Sequence, residues 1–215
     1  MNIAIFGTGM VGNAIASKLV SLGHNVMMGS RTATNEKAAA WVATNGANAS
    51  TGTYSDAAAF GEIVFNCTNG AGSLEALRAA SATNLSGKII VDISNPLDFS
   101  KGMPPSLFVC NTDSLAEQIQ REFPDAKVVK TLNTVNCNLM VNPSLITGEH
   151  DMMYCGNDAE AKATVKEILT GWFGWKQTHD LGDLTAARGM EMWLPLWLKL
   201  WGAVGSPNFN LHIAK

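Results

Sequence analysis

Short apolar runs of strand length alternate with segments of helical period along most of the chain. The runs cover residues 2–6, 25–28, 62–66, 88–93 and 127–130. Between the first two lies a segment from 10 to 22 in which Val11, Ile15 and Leu19 share one helical face. A strand, a glycine turn, a helix and a second strand within about thirty residues form one βαβ unit. Near-continuous apolar strands joined by helices predict an α/β, Rossmann-type, doubly wound and mostly parallel sheet.

Further elements continue this alternation to the end of the chain. Helices are expected near 35–44 and 71–80, a short strand near Ala47, and a short helix among the asparagines that follow Lys130. A strand at 152–155, a helix near 159–170 and a last strand at 176–179 come next. The closing segment, 183–201, has a helical pattern that is predicted to be interrupted at Pro195.

The pattern predicts one principal domain with a small appendage. Residues 1–180 should form the Rossmann domain, with its core in residues 1–130, and residues 181–215 a C-terminal helical extension packed on it. Trp193, Trp197 and Trp201 recur every four residues there, so three indoles share one helical face. Such a stripe is typical of a core or of a dimer contact, and we expect a homodimer; a stacking platform on the substrate side is the alternative.

Composition narrows the function classes. A formal net charge of −3, with 15% charged and 47% hydrophobic residues, gives no electrostatic reason to bind nucleic acid or an anionic membrane. Gly, Pro or a charge breaks the longer apolar stretches, so neither a signal peptide nor a membrane span is predicted. The cysteines lack a CxxC spacing and the histidines lack partners at ligand spacing, which predicts no metal site. Free thiols fit a reducing, cytoplasmic location.

Three glycines stand where the first strand gives way to the first helix. Residues 7–12, GTGMVG, match G-x-G-x-x-G between an apolar strand and an amphipathic helix. In that context Gly7 permits a tight turn, Gly9 lets a pyrophosphate approach backbone N–H groups, and Gly12 lets the helix pack close to the sheet. The motif predicts a dinucleotide site.

The end of the second strand selects between the two common dinucleotides. An NAD-specific site places an Asp or Glu about 20 residues beyond the glycines, where it takes the ribose hydroxyls. This chain has Ser30, Arg31 and Thr32 there. A guanidinium flanked by hydroxyl groups suits a doubly charged phosphate. The sequence therefore predicts NADP(H) as the cofactor, with residues 1–180 as its binding domain.

With these residues in view, the chain resembles the coenzyme F-420-dependent NADP oxidoreductase family and, more distantly, the cytosolic domain of the STEAP metalloreductases. The similarity runs nearly end to end and rests on IFGTGMVG at 5–12, GSR at 29–31, VDISNP at 91–96, KVVKTLNT at 127–134, CGND at 155–158 and DLGDLTAAR at 180–188. In that family two planar redox cofactors stack at the carboxyl edge of the sheet, and hydride passes directly between them. The resemblance implies an NADP(H)-dependent oxidoreductase that needs no catalytic side chain and no metal.

The resemblance also implies a set of ligand contacts at the carboxyl ends of the strands, where open α/β sheets bind ligands. The dinucleotide would be held by Gly7, Thr8, Gly9, Met10, Val11 and Gly12 at the pyrophosphate, by Ser30, Arg31 and Thr32 at the extra phosphate, by Cys67, Thr68 and Asn69 after the fourth strand, and by Asn95 and Pro96 beside the nicotinamide. The second redox ligand, the substrate, would lie against Asn133, Thr134, Val135, Leu184 and Met190.

Two further residues at strand ends receive structural interpretations. Asp92 follows an apolar strand and is expected to hold a nearby loop by hydrogen bonds. Cys67 ends a buried strand beside the expected nicotinamide position, and buried thiols are usually inert small hydrophobes. Neither residue is predicted to be catalytic.

The acceptor and the function class each have alternatives. Characterised members of the family tend to carry a His followed by Thr-Ile-Pro where this chain has NTVN at 133–136. Besides the deazaflavin, a flavin, a quinone-like acceptor or another small carbonyl compound fits that place. The lack of a convincing proton donor favours, as a second hypothesis, a non-enzymatic NADP(H)-binding redox sensor. A β-hydroxyacid dehydrogenase is less well supported, because neither a lysine in a catalytic helix nor a long C-terminal domain is visible.

Overall fold

Within residues 1–214, which the computed structural model describes, the central element is an eight-stranded sheet. Its strands are β1 Asn2–Phe6, β2 Asn25–Ser30, β3 Ala49–Thr53, β4 Ile63–Asn66, β5 Ile89–Asp92, β8 Lys127–Thr131, β9 Asp151–Gly156 and β10 Gln177–Asp180, and a separate antiparallel pair consists of β6 Leu97–Asp98 and β7 Ser106–Leu107. The helices are α1 Met10–Ser21, α2 Glu36–Asn45, α3 Tyr54–Phe60, α4 Gly70–Ala80, α5 Ala82–Leu85, α6 Leu115–Glu122, α7 Cys137–Val141, α8 Ala159–Glu167 and α9 Ala187–Val204. None of these helices has the length and apolarity needed to span a membrane.

The strand order determines where a ligand can approach the sheet. The order is β10-β9-β8-β5-β4-β1-β2-β3, and neighbouring strands are parallel except β8 and β9, which are antiparallel. The chain runs from β1 outward through β2 to β3 and then returns to place β4 on the other side of β1. At such a switch point the loops after β1 and β4 diverge and leave a crevice at the carboxyl edge. The predicted doubly wound, Rossmann-type fold is confirmed.

The first strand shows why these strands are apolar at consecutive positions. Ile3 and Ile5 pack with Ile15 of α1 in the core on one face of the sheet. Ala4 and Phe6 pack in the core on the other face, which includes residues of α3 and α4. A parallel sheet that is covered on both faces needs apolar side chains at both alternating positions.

The C-terminal helix differs from the sequence prediction at Pro195. Helix α9 is continuous through Pro195, so the predicted interruption is wrong. A proline removes one backbone donor from the helix. Here Met190 and Leu194 before Pro195 and Trp197 after it are all buried and form one apolar stripe along α9. Packing of that stripe keeps the helix continuous until Gly205, whose φ of 75° ends it in the left-handed conformation.

The residues after α9 fold back onto the end of the sheet near β9. The Phe209 ring stacks on Trp197, with 5.5 Å between ring centroids. The backbone N–H of Ile213 donates a 2.6 Å hydrogen bond to the buried carboxylate of Asp151 at the start of β9. The segment 206–213 is therefore attached to both α9 and the sheet.

The four cysteines are free and differ in exposure. Cys67 and Cys155 are buried, Cys137 is half-buried, and Cys110 is exposed in the loop before α6. Burial raises the pKa of the Cys155 thiol to about 12, and it also raises the pKa of Cys137. Cys110 is therefore the thiol that is most open to solvent.

Candidate active site

The glycine turn between β1 and α1 combines internal packing with an open backbone. Gly7 has a φ of 109°, and a Cβ there would lie 2.7 Å from the carbonyl oxygen of Cys67. A Cβ on Gly12 would collide with the Gly7 carbonyl oxygen. A Cβ on Gly9 would have no neighbour within 4 Å. Gly7 and Gly12 are thus required by the fold, whereas Gly9 faces open space that a ligand can enter.

The first turn of α1 presents unsatisfied backbone donors to that space. Gly9 is the N-cap, with no side-chain hydrogen bond to the helix and no acidic residue in the first turn. Other helices of the sheet layers are capped by side chains, namely those of Asn35, Asn69, Ser114 and Asp158. The free N–H groups and the positive end of the helix dipole suit an anion such as a pyrophosphate.

A cleft of about 430 Å³ begins at this turn and extends toward the end of β2. Its lining comprises Gly7, Thr8, Gly9, Arg31, Tyr54, Cys67, Thr68, Asn69, Gly72, Glu75, Ala76 and Ala79. The exposed Arg31 guanidinium has no ion-pair partner among residues 1–214. Three other arginines, Arg78, Arg121 and Arg188, each pair with a carboxylate. An unpaired guanidinium in a cleft that already offers a helix N-terminus is suited to a second phosphate.

Ser30 shapes the turn that presents Arg31. Its buried hydroxyl donates a 2.6 Å hydrogen bond to the carbonyl oxygen of Thr32. The hydroxyl proton of Ser30 is therefore engaged within the turn, and only its oxygen remains able to accept. Thr32 itself is exposed and is not among the residues that line the cleft.

Tyr54 and Glu75 line the same cleft as Arg31, and sequence reasoning missed both. The Tyr54 ring packs against Phe6 with 5.2 Å between centroids. Burial raises the pKa of the Tyr54 phenol, the positive charge of Arg31 opposes that rise, and the negative charge of Glu75 adds to it. Tyr54 therefore stays neutral and able to donate a hydrogen bond. Glu75 lies on an exposed face of α4, where a single sequence gives no signal beyond that of a solvated carboxylate.

The loop after β4 closes the cleft beside the glycine turn. The Thr68 hydroxyl donates a 2.6 Å hydrogen bond to Oδ1 of the buried Asn66, and the Asn69 side chain caps α4. Cys67 is buried, and burial raises the pKa of its thiol far above the ordinary range. A thiol in that environment stays protonated at neutral pH and is unreactive.

Asn95 and Asn133 face each other across the ends of β5 and β8. Asn133 Nδ2 donates to Asn95 Oδ1 over 2.9 Å and to the carbonyl oxygen of Met190 over 3.0 Å. Asn95 Nδ2 in turn donates to the carbonyl oxygen of Asn133 over 3.1 Å. Because both Nδ2 protons of Asn133 are used, its orientation is fixed. Within residues 1–214, Asn133 Oδ1 and the hydroxyl of Thr134 are buried without a hydrogen-bond partner.

The other residues predicted near the second ligand are buried in different places. Leu184 and Met190 belong to the core on the α6 face of the sheet. Val135 belongs to the core on the α1 face. Thr134 is linked to α9, because Trp193 Nε1 donates to its carbonyl oxygen over 3.1 Å. The structure thus brings Asn133, Thr134 and Met190 together, and it puts Val135 and Leu184 in separate cores.

A buried ionic cluster lies directly behind this region. Lys130 Nζ donates to Asp92 Oδ2 and to Glu191 Oε1, each over 2.8 Å, and also to the carbonyl oxygen of Ser94. Burial alone lowers the pKa of Lys130, but the carboxylates of Asp92 and Glu191 raise it above its ordinary value, so the ammonium stays charged. Asp92 also accepts from the N–H and hydroxyl of Ser94, which is the loop-holding role expected from the sequence.

This cluster was only partly visible in the sequence. Asp92 and Lys130 are register partners at the ends of the parallel pair β5 and β8, and a charge that ends an apolar strand is a signal for a buried partner. Glu191 carried no such signal, because its contact with Lys130 joins residues 61 positions apart.

Comparison with known proteins places these features in a family. The family model described as NADP oxidoreductase, coenzyme F420-dependent, matches residues 2–96. A protein of Arthrobacter sp. FB24 assigned as an F420-dependent NADP-reductase has a crystal structure at 1.70 Å; it is 51% identical, the alignment covers 100% of both chains, and the TM-score is 0.95. The chain belongs to the F420-dependent NADP oxidoreductase family. The resemblance identified from the sequence is confirmed.

Two curated relatives extend the family assignment. Metalloreductase STEAP3 of Rattus norvegicus is 31% identical over 199 residues, which are 91% of this chain and 36% of the relative. The F420-dependent NADP reductase of Methanocaldococcus jannaschii is 32% identical over 117 residues, 54% of this chain and 52% of the relative. The chain therefore matches about a third of the first relative and about half of the second.

Proposed function

We propose that the chain binds NADP(H) in the cleft of about 430 Å³ and transfers hydride between the nicotinamide and a deazaflavin- or flavin-like acceptor. The observation that carries this proposal is the pairing, in one cleft, of the uncapped N-terminus of α1 with the unpaired guanidinium of Arg31. The two features match the pyrophosphate and the extra phosphate of NADP. When bound, NADPH supplies the hydride.

The cleft residues and the neighbouring Asn133 have separate tasks in this proposal. The open backbone at Gly9 and the first N–H groups of α1 bind the pyrophosphate, and Arg31 binds the extra phosphate. The buried amide of Asn133, fixed by its bonds to Asn95 and Met190, shapes the wall beside which the two rings would lie. Catalysis then rests on alignment of the two rings and exclusion of water.

The family description and the relatives suggest coenzyme F420 as the first acceptor to test. The Asn133 position differs from the histidine typical of the family, which keeps FMN, FAD and simple quinones as alternatives. We also propose a homodimer, on the basis of exposed apolar side chains on α9, and a cytoplasmic location, on the basis of the free thiols.

Arg31→Gln tests the cofactor assignment. We expect the Kd for NADPH to rise roughly 10- to 100-fold, because hydrogen bonds to a charged group contribute about 1.5–3 kcal/mol. The Kd for NADH should not change, since that ligand lacks the extra phosphate. Arg121→Gln on α6, outside the cleft, is the matched control. Equal NADPH affinity in both variants would show that Arg31 does not bind the cofactor.

Stopped-flow oxidation of NADPH tests the acceptor. Nicotinamide absorbance is followed against coenzyme F420, FMN, FAD and quinones in separate runs. Rapid oxidation by F420 supports the deazaflavin assignment, and rapid oxidation by a flavin reassigns the substrate. Tight NADPH binding without oxidation by any of these acceptors would contradict the reductase proposal and favour the redox-sensor hypothesis.

A further inference from the structure

The ammonium of Lys130 joins three segments of the chain inside the protein. Its three protons are directed to Asp92 at the end of β5, to the backbone of Ser94 in the following loop, and to Glu191 on α9. The side chains of Lys130 and Asp92 have no exposed surface, and that of Glu191 is 2% exposed. Because every donor of the ammonium is used, its position relative to all three segments is fixed.

Glu191 connects Lys130 to two helices, α9, on which it lies, and α6. Besides Lys130, its carboxylate accepts from the backbone N–H of Leu115 over 2.8 Å and from that of Ala116 over 3.1 Å. One carboxylate on α9 thus caps the first turn of α6 and pairs with the end of β8. Any displacement of α9 along its axis would break several charge-assisted hydrogen bonds at once.

The same turn of α9 contacts Asn133 and Thr134, beside which the proposed function puts the acceptor. The carbonyl oxygen of Met190 accepts from Asn133 Nδ2 over 3.0 Å, and Trp193 Nε1 donates to the carbonyl oxygen of Thr134 over 3.1 Å. Met190 and Trp193 flank Glu191 within one helical turn, where the rise is about 1.5 Å per residue. The position of Glu191 therefore determines the position of both contacts.

The cluster also reaches the cofactor cleft. Asp92 Oδ1 accepts from Asn66 Nδ2 over 2.8 Å, and Asn66 Oδ1 accepts from the hydroxyl of Thr68 over 2.6 Å. Thr68 lines the cleft. A continuous chain of hydrogen bonds thus runs from the cleft through Asp92 and Lys130 to α9.

We infer that Lys130 is a positioning residue, which sets α9 against β8 through Glu191 and so holds Asn133 and Thr134 in place for the acceptor. This inference rests on the proposed function for the location of the acceptor. Fold stability alone does not require the cluster, because well-packed apolar residues of similar volume often replace a buried ion pair without loss of stability. What an apolar cluster would not provide is a directional, three-way contact that fixes the register of the helix.

Glu191→Gln tests the inference, with Glu117→Gln as the matched control. Glu117 also joins α6 to α9, through Arg188 at 2.6 Å, but does not touch the Lys130 cluster. With coenzyme F420 as the acceptor in the assay, we expect Glu191→Gln to lower kcat/KM for that acceptor by roughly 10- to 100-fold and to leave the Kd for NADPH within about twofold. Equal losses in both variants, or an unchanged acceptor kcat/KM in Glu191→Gln, would overturn the positioning role.

Amide hydrogen exchange provides a readout that does not depend on activity. Exchange at residues 133–135 and 188–194 should be faster in Glu191→Gln than in the wild type and in Glu117→Gln, whereas exchange in β1 and β2 should not change. If Glu191→Gln does not fold, Lys130→Arg is the second variant, since it keeps the charge but cannot reproduce the three contacts of the ammonium. Unchanged exchange at 133–135 in the variant that folds would refute the inference. If the wild type transfers hydride from NADPH to none of the acceptors tested, the proposed function is refuted. The exchange experiment still tests the positioning role of Lys130, because it does not depend on activity.

Discussion

At the scale of single residues, Gly9 and Gly12 are the second and third glycines of the same motif, but Gly12 is closely packed and Gly9 is not. The Gly12 Cα lies against the backbone of Gly7, so its lack of a side chain serves the packing of α1 on the turn. Gly9 has open space in front of it, and its φ of −83° is accessible to any residue. Only a ligand that approaches the backbone requires a glycine there.

Alanine substitutions separate these two requirements. Gly12→Ala should lower the free energy of unfolding by about 1–3 kcal/mol, because the new methyl group is overpacked against the Gly7 carbonyl. Gly9→Ala should change that free energy by less than about 1 kcal/mol and weaken NADPH binding roughly tenfold or more. Urea denaturation and fluorescence titration measure the two effects. A Gly9→Ala variant with full NADPH affinity would contradict the proposed pyrophosphate position.

At the scale of secondary-structure elements, an ion pair links the last turn of α6 to Asp113, the residue before its N-cap. Arg121 donates to both carboxylate oxygens of Asp113, over 2.9 and 2.7 Å. Hydrogen bonding from Arg121 lowers the pKa of Asp113 to about 2; burial opposes this shift, and Gln118 and the backbone of Ser114 add to it. Because an aspartate in the unfolded chain has a pKa of about 3.9, the folded state favours the ionised form.

The depressed pKa predicts a pH dependence of stability. The contribution of Asp113 is complete above about pH 4 and is lost as the pH falls toward about 2, since protonation then favours the unfolded chain. The difference in unfolding free energy between the wild type and Asp113→Asn should therefore be largest near neutral pH and shrink over that interval. Urea denaturation at stepped pH measures it. Asp125→Asn, at an exposed position on the loop after α6, is the control; a difference that stays constant with pH would contradict the prediction.

The sequence predicted the strands and the glycine turn well, because their signals are local. Apolar runs bounded by glycine or by polar residues predicted the sheet, and the motif at residues 7–12 predicted the turn at which α1 begins. Helices α3 and α6 were missed because they are short, at seven and eight residues. The break expected at Pro195 was wrong because burial of α9 outweighs one lost hydrogen bond.

The polar part of the site was harder to predict, because its contacts are distant in sequence. The hydrogen bond from Asn133 to Asn95 joins residues 38 positions apart, and the contact between Leu115 and Glu191 spans 76. A single sequence, taken by itself, carries no record of which distant residues are in contact. Arg31 does line the cleft, and its place at the end of β2 is a local signal; its contact with the extra phosphate stays a prediction.

At the scale of the whole molecule, α9 presents an outward face that no other part of residues 1–214 covers. Met192 is 38% exposed and Leu196, four residues later on the same face, is 52% exposed, while Met190, Leu194 and Trp197 bury the inward face. Trp201 follows Trp197 on the inward side but is 43% exposed. Of the predicted tryptophan stripe, Trp197 is thus a core residue and Trp201 a surface residue. Large apolar side chains that share an exposed helix face are typical of subunit contacts.

Light scattering tests the homodimer. The wild type should have twice the 22.8 kDa mass of the chain, and Leu196→Glu should shift it to the monomer, because a buried carboxylate without a partner is costly in an interface. Leu145→Glu introduces the same charge at an apolar position that is 50% exposed outside α9 and is the control. A wild-type mass of a single chain would contradict the dimer.

The exposure of the cysteines has a practical consequence for experiments. Burial raises the pKa of the thiols of Cys67, Cys155 and Cys137, whereas Cys110 is exposed in the loop before α6. A thiol-reactive fluorophore should therefore label the native sequence mainly at Cys110, without mutagenesis. The dye would be attached a few residues before the helix turn that Glu191 caps. Its emission would follow motion of the C-terminal helix in real time while each ligand is added.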